Sequence, residues 1–319
     1  MFGCDQGCIQ AAAVVSKRRS GALHQGKDRA IFELVLAAHE QGSHFHRRIV
    51  EWEDAYANMV NIARGDSWPD RWTGLATAFR EKLSGEGRAR LDLAYGEGSR
   101  NRFDLFLPES APKGLMVYVH GGYWVRFDKS SWSHLAAGAL AHGYAVAMPS
   151  YTLCPQNSVS GITREVGAAI GKAAGMVEGP VFLTGHSAGG HLATRMISAT
   201  SPLPAQVMSR IRNTVSISGV HDLRPLMRLA LNEELKLEEA EALAESPALL
   251  RPQEGAMLTC WVGGGERAEF LRQNALLANI WTGLGAVTAS VEEADRHHFN
   301  VVDGLLDADH PLTRTLLMV

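Results

Sequence analysis

The sequence predicts an α/β protein, a mostly parallel central sheet with helices on both faces. Three observations predict it. Short, wholly apolar runs such as "GLMVYV", "YAVAMP" and "PVFLTG" recur along the chain, as strands covered on both faces require. Helical patterns stand between them, and strand and helix in turn give a parallel sheet sandwiched by helices. Two alternating stretches, "RLDLAYGE" and "RFDLFLP", joined by "GSRN", read as an antiparallel pair leading in.

The elements follow in order. "EWEDAYANMVNIA" and "WPDRWTGLATAFREKL" read as helices, the second with Pro69 near its first turn. The antiparallel pair comes next, then strand "GLMVYV". "SSWSHLAAGALAHG" is a helical pattern closing on glycine. Strand "YAVAMP", a helix near 158–177, strand "PVFLTG", a helix from Ala188 and strand "NTVSISG" continue the series. A helical stretch over 222–245, strand "MLTCWVGG", helix "RAEFLRQNALLANIWTGLG" and strand "AVTASVEEA" complete it.

With 319 residues, 46% hydrophobic and 20% charged, the chain is long enough for one large core. Its formal net charge of -3 argues against nucleic acid as a partner. No apolar run approaches the about 18 to 20 residues of a membrane span. "IQAAAVV" is short and precedes its basic residues, so it does not read as a secretory signal. Cys4, Cys8, Cys154 and Cys260 are too scattered for a disulfide framework, and no zinc spacing accompanies the first two. The cytoplasm is the expected compartment. Residues 1–48 lack a sustained period and read as a loosely structured extension, with His39, His44 and His46 incidental and "IFELVLAA" a short helix. Residues 49–319 form the expected catalytic domain.

In open parallel sheets, ligands sit beyond the carboxyl ends of the strands. After "PVFLT" stands "GHSAGG", and Gly185-His186-Ser187-Ala188-Gly189 matches G-x-S-x-G between strand and helix. The turn is so tight that side chains two positions either side of the serine would clash. Ser187 would project its hydroxyl above the sheet, at a helix N-terminus that favours negative charge. A serine nucleophile needs a base and the base an orienting acid, in the chain order Ser, acid, His. His191 lies one turn along the helix and reads as structural. His297 and His298, in "DRHHFNVVDG" after the last strand, are the two candidate bases. Glu266 in "CWVGGGERAEF" is the leading acid. Asp222 in "SGVHDLRPL" and Glu269, expected to be helical and facing away, are the others.

"HGGYWVRFDKSSW" follows strand "GLMVYV". Backbone N–H groups of Gly121, Gly122 and Tyr123, with that of Ala188, are the expected donors to an oxyanion on the serine. Glycine permits the positive φ and close approach that such a loop needs. Tyr123, Trp124 and Phe127 are expected on the pocket wall, and Trp132 in helix-to-sheet packing. Cys154, before a proline, has no histidine partner nearby in sequence to make it a nucleophile.

Together "HGGYW" and "GHSAGGHLA" resemble the α/β-hydrolase superfamily, in its kynurenine formamidase (arylformamidase) and related esterase branch. The similarity runs from about Trp52 to the C-terminus. It implies the α/β-hydrolase fold, a Ser-Asp/Glu-His triad and hydrolysis of N-formyl amides or small acyl esters, with no organic cofactor. By this resemblance Ser187 is the nucleophile, and His120, Gly121, Gly122, Tyr123 and Trp124 form the H-G-G-x-W motif. The base is His298, because a histidine precedes phenylalanine in the family pattern, and the acid is Glu266. Two departures stand out: "YTLCPQ" lacks the final glutamate of the related lipases' Y-R-L-A-P-E, and glutamate replaces the aspartate of many formamidases. The expectation is a serine hydrolase whose partner is a small molecule, with no nucleic acid, membrane or metal, and with a homodimer left open. The alternatives are a carboxylesterase acting on short acyl esters and a ligand binder that retains the fold without catalysis.

Overall fold

The computed structural model describes residues 49–319. The predicted extension over 1–48, with Cys4, Cys8 and the three histidines, lies outside the described residues. Two helices precede the sheet, α1 (Trp52–Tyr56) and α2 (Trp68–Gly85). In α2, Pro69 occupies the first turn, where its missing N–H costs no hydrogen bond, and Trp72, Ala76 and Leu83 form the buried stripe. The single helix predicted from "EWEDAYANMVNIA" is instead α1 followed by a 3-10 turn, Met59–Asn61. The Tyr56 carbonyl is taken at 2.6 Å by the Tyr123 hydroxyl, which fixes the chain where the helix stops.

Strands β1 (Ala89–Ala94) and β2 (Arg102–Phe106) pair antiparallel as predicted, with a bulge between Arg90 and Leu93. Strand β3 (Leu115–Val119) is followed by the "HGG" loop and α3 (Ala137–Ala141). Here a longer helix was expected from "SSWSHLAAGALAHG". Two 3-10 turns, Lys129–Ser131 and Ser133–Ala136, replace its first half. The Asp128 side chain caps the first turn by accepting from Ser130 N, and Trp132 between them is non-helical, its ring centroid 4.6 Å from that of Trp72 in a tilted contact.

The series continues with β4 (Ala145–Pro149), α4 (Val159–Ala174), β5 (Val181–His186), α5 (Ala188–Arg195), α6 (Ala205–Met208) and β6 (Ile211–Ile217). The predicted helix over 222–245 is broken into a 3-10 turn, Arg224–Arg228, then α7 (Asn232–Leu235) and α8 (Glu239–Glu245). Lys236, between the last two, has a left-handed φ of 54°. Strand β7 (Met257–Gly263), α9 (Ala268–Thr282), β8 (Val287–Glu293) and α10 (Pro311–Leu317) complete the described chain.

Among the described residues the eight strands form one sheet in the order β1-β2-β4-β3-β5-β6-β7-β8. It is parallel from β4 to β8, with β2 antiparallel to both neighbours. The period of two divides each central strand between two cores. Leu115, Val117 and Val119 of β3 pack with Ile162, Val166, Leu192 and Leu277 of α4, α5 and α9. Met116 and Tyr118 pack on the other face with Trp72, Leu83 and Leu312 of α2 and α10. Strand β3 lies between β4 and β5, so the loops after β3 and β5 leave the sheet side by side at its centre. Among the described residues no helix is long and apolar enough to cross a membrane.

Candidate active site

Gly185 ends the register with Val119, so the residues after β3 and those after β5 start from one level. Ser187 N donates to Ile217 O at 2.8 Å, tying the turn to β6. Ser187 takes φ 55° and ψ −117°, a conformation costing a side-chain-bearing residue about 1–3 kcal/mol. The two flanking glycines are steric necessities. A Cβ on Gly185 would lie 2.2 Å from Gly189 O, and one on Gly189 would lie 1.9 Å from Val119 O. Ser187 therefore stands at the strand end with α5 beginning directly behind it.

Ser187 and His298 line the same cavity, although no hydrogen bond joins them in the structure. The His298 ring donates from Nδ1 to Glu266 Oε2 at 2.6 Å. That commits one ring nitrogen as donor and leaves Nε2 as the proton acceptor. Both side chains are buried, the carboxylate completely. Glu266 Oε1 accepts from Ser218 Oγ at 2.5 Å and from Gly263 N at 2.9 Å. The glycine run before Glu266 permits this approach: a Cβ on Gly263 would lie 2.5 Å from Arg296 O. Gly264 N donates to Glu293 O, and Gly265 N to Arg296 O. The loops bearing acid and histidine are thus sewn together by their backbones.

The rival candidates are engaged elsewhere. Glu269 accepts from the Tyr56 hydroxyl at 2.6 Å and pairs with Arg272 at 2.7 Å. Asp222 pairs with Arg224 at 2.8 Å. His297 lies edge-on to Trp68, and His191 donates from Nε2 to Glu245 O at 2.7 Å. Burial pushes the Cys154 thiol up to about 12, so it carries no thiolate near neutral pH. Burial also holds the His186 ring, 4.6 Å from that of His298, well below its ordinary range. A neutral His186 adds no positive charge beside the imidazole that would accept a proton.

The "HGGYW" loop splits into two roles. Gly121 packs against β5, where a Cβ would sit 2.7 Å from His186 O. Gly122, at φ 113°, and Tyr123, at φ 51°, line the cavity with Ser187. His120 donates from Nδ1 to Gly121 O at 2.8 Å and stacks on Tyr151 at 4.3 Å, which pins that carbonyl. Burial lowers the His120 pKa to about 4, so the ring is a neutral structural donor. Trp124 departs from expectation. It is fully buried, edge-to-face with His191 at 5.1 Å, and absent from the cavity lining. Two consecutive left-handed residues turn the chain, so that Tyr123 stays at the cavity while Trp124 anchors the loop in the core.

The cavity has a volume of about 290 Å³. Tyr123, Phe127 and Trp132 line it, the last despite also packing on the sheet. Sequence reasoning missed other parts of the wall, among them Tyr56, Trp72, Phe299 and Leu229. It also missed Ser218 as a partner of Glu266. No local pattern marks these residues; an aromatic in a helix or turn carries no signal of the strand end that it will cover. Among the described residues no cluster of three or more His, Cys, Asp or Glu is placed to hold a metal.

Comparison with known proteins bears on the family and the fold. The BD-FAE family model matches residues 103–250. A kynurenine formamidase of Salmo salar is 30% identical over 249 residues, spanning 74% of this chain and 84% of its own. That of Danio rerio is 30% identical over 273 residues, 78% of this chain and 92% of its own. Among solved structures, a proposed thioesterase from Silicibacter sp. tm1040 is 49% identical, with a TM-score of 0.78 over 84% of this chain and all of that one. An esterase of Thermogutta terrifontis, 17% identical with a TM-score of 0.58, covers 72% of this chain and 92% of its own and shares the fold. The chain is a serine-type hydrolase, and at 30% identity over most of both chains it belongs to the kynurenine formamidase family of α/β hydrolases.

Proposed function

We propose that this protein hydrolyses an N-formyl arylamine through a formyl-enzyme on Ser187. In this reading His298 Nε2 takes the hydroxyl proton as Oγ attacks the formyl carbon, while Glu266 holds the ring in the required tautomer. The N–H groups of Gly122, Tyr123 and Ala188 stabilise the oxyanion. The C–N bond breaks as His298 passes its proton to the leaving amine. Water, deprotonated by the same imidazole, then attacks the formyl ester and releases formate.

One observation carries the choice of substrate. Tyr56, Trp72, Tyr123, Phe127, Trp132 and Phe299 surround a cavity of about 290 Å³ that also holds Ser187 and His298. That is at the small end of ligand pockets, about 300–1,000 Å³, and suits one aryl ring with a one-carbon acyl group. The relatives named kynurenine formamidase point the same way. The test compares kcat/KM on N-formylkynurenine, p-nitrophenyl acetate and an acyl thioester. A preference of a hundredfold or more for either ester would replace the formamidase reading with an esterase or thioesterase one. Ser187→Ala should lower kcat by about 10⁴ to 10⁶; equal turnover by that variant would remove the serine from the mechanism.

A further inference from the structure

Ser218 follows β6 directly, and its hydroxyl donates to Glu266 Oε1 at 2.5 Å, the oxygen turned away from His298. We propose that Ser218 is a positioning residue for the hydrolytic site, fixing the Glu266 carboxylate so that Oε2 meets the imidazole. The proposal rests on the triad reading above and adds a fourth side chain to it.

Three features separate this from incidental packing. The first is the demand of the carboxylate. Glu266 is completely buried, and a buried charge needs its hydrogen bonds filled. Oε1 has only Ser218 Oγ and Gly263 N as donors among the described residues. The second is the backbone of Ser218 itself. Its φ of 50° lies in the left-handed region, where glycine is relaxed and serine is not. Strain alone would favour glycine there, so a serine at this point implies a use for its hydroxyl. The third is rigidity. Ser218 N donates to Trp261 O at 2.7 Å, which locks the residue between β6 and β7. A glutamate reaches one methylene further than an aspartate and has one more torsion to fix. The hydroxyl from the neighbouring strand end supplies that constraint.

The test is Ser218→Gly, which removes the hydroxyl and relieves the backbone together. The expected result is kcat lowered about tenfold or more with KM within about twofold, in a variant that still folds because relief of the backbone offsets part of the cost of the lost hydrogen bond. With one donor removed, the carboxylate concentrates its charge on His298, and the acidic limb of kcat/KM should move to higher pH. The other titratable groups close to the pair, His186, His297 and Tyr123, are untouched by the substitution. A kcat retained within about threefold, or a lost kcat with the acidic limb unmoved, would overturn the proposal. Glu266→Gln separates the two levels. If that variant is inactive while Ser218→Gly is not, only the role of Ser218 falls; if Glu266→Gln is fully active, the triad reading falls with it.

Discussion

At φ 55° and ψ −117°, Ser187 holds a backbone conformation that glycine reaches without cost, and the surrounding glycines show why the chain tolerates it. Gly185 and Gly189 let strand and helix close to within backbone contact, so the turn has nowhere to relax. Ser187→Gly should be about 1 kcal/mol more stable than Ser187→Ala by chemical denaturation, because both lose the hydroxyl and only one loses the strain. Equal stabilities would mean the turn stores none. Gly189→Ala, with its new Cβ 1.9 Å from Val119 O, should cost more than about 4 kcal/mol or prevent folding. Gly74→Ala on the exposed face of α2 meets nothing within 4 Å and should stabilise by about 0.5–1 kcal/mol. The contrast tests whether steric need, rather than glycine content, explains the motif.

At the scale of elements, α1 and the turn after it form a strap across the cavity. Tyr123 donates to Tyr56 O, Tyr56 donates to Glu269, Glu53 accepts from Ala230 N at 2.6 Å, and Asp54 pairs with Arg267. Removing one buried hydrogen bond from this set costs about 1 kcal/mol, equivalent to about fivefold in binding. Tyr123→Phe, which keeps the backbone N–H, should therefore raise KM for an aryl formamide about fivefold and leave kcat within about twofold. A fall in kcat without a change in KM would show that the hydroxyl serves the "HGGYW" loop rather than the strap. The strap also marks where the sequence stops being legible. The elbow, the "HGG" loop and "GGGE" are local: each is a few consecutive residues whose spacing follows from one turn, and each was readable. Strand order left two histidines and three acids open, and the family resemblance pointed to His298 and Glu266; the structure joins these two by a hydrogen bond, with backbone contacts between 263–265 and 293–296 beside it. Tyr56 meets Glu269 across 213 positions, and nothing near either residue encodes the meeting. The helix expected over 129–136 gives way where Trp132 is held by Trp72, a partner far along the chain, and that over 222–245 breaks locally at the left-handed Lys236, where Asn232 hydrogen-bonds Leu237.

For the whole molecule, the unusual property is the number of histidines buried without charge. Burial lowers the pKa of His120, His134 and His191 to about 4 and that of His221 to about 3, against an ordinary value near 6.5. Each is neutral in the folded chain, while in the unfolded chain each gains a proton as pH falls below about 6.5. Unfolding then takes up protons, so the stability these groups leave intact above pH 6.5 is lost progressively toward pH 4. The slope approaches about 1.4 kcal/mol per pH unit for each histidine. Asp92, Asp128 and Glu245, held below their ordinary values by Lys129, by the Ser130 N–H and by Arg195, add losses of the same sign at lower pH. Asp303, raised by burial, opposes them. Urea unfolding at pH 7.5, 6.0 and 5.0 should show stability falling ever more steeply. His191→Gln can keep the hydrogen bond to Glu245 O but cannot titrate, and should flatten the slope between pH 6 and 5 by about one proton. An unchanged slope would mean that the ring takes up its proton within the fold. It would then stand charged against Trp124, the residue that anchors the "HGGYW" loop in the core, and acid would disturb the site before it unfolded the chain.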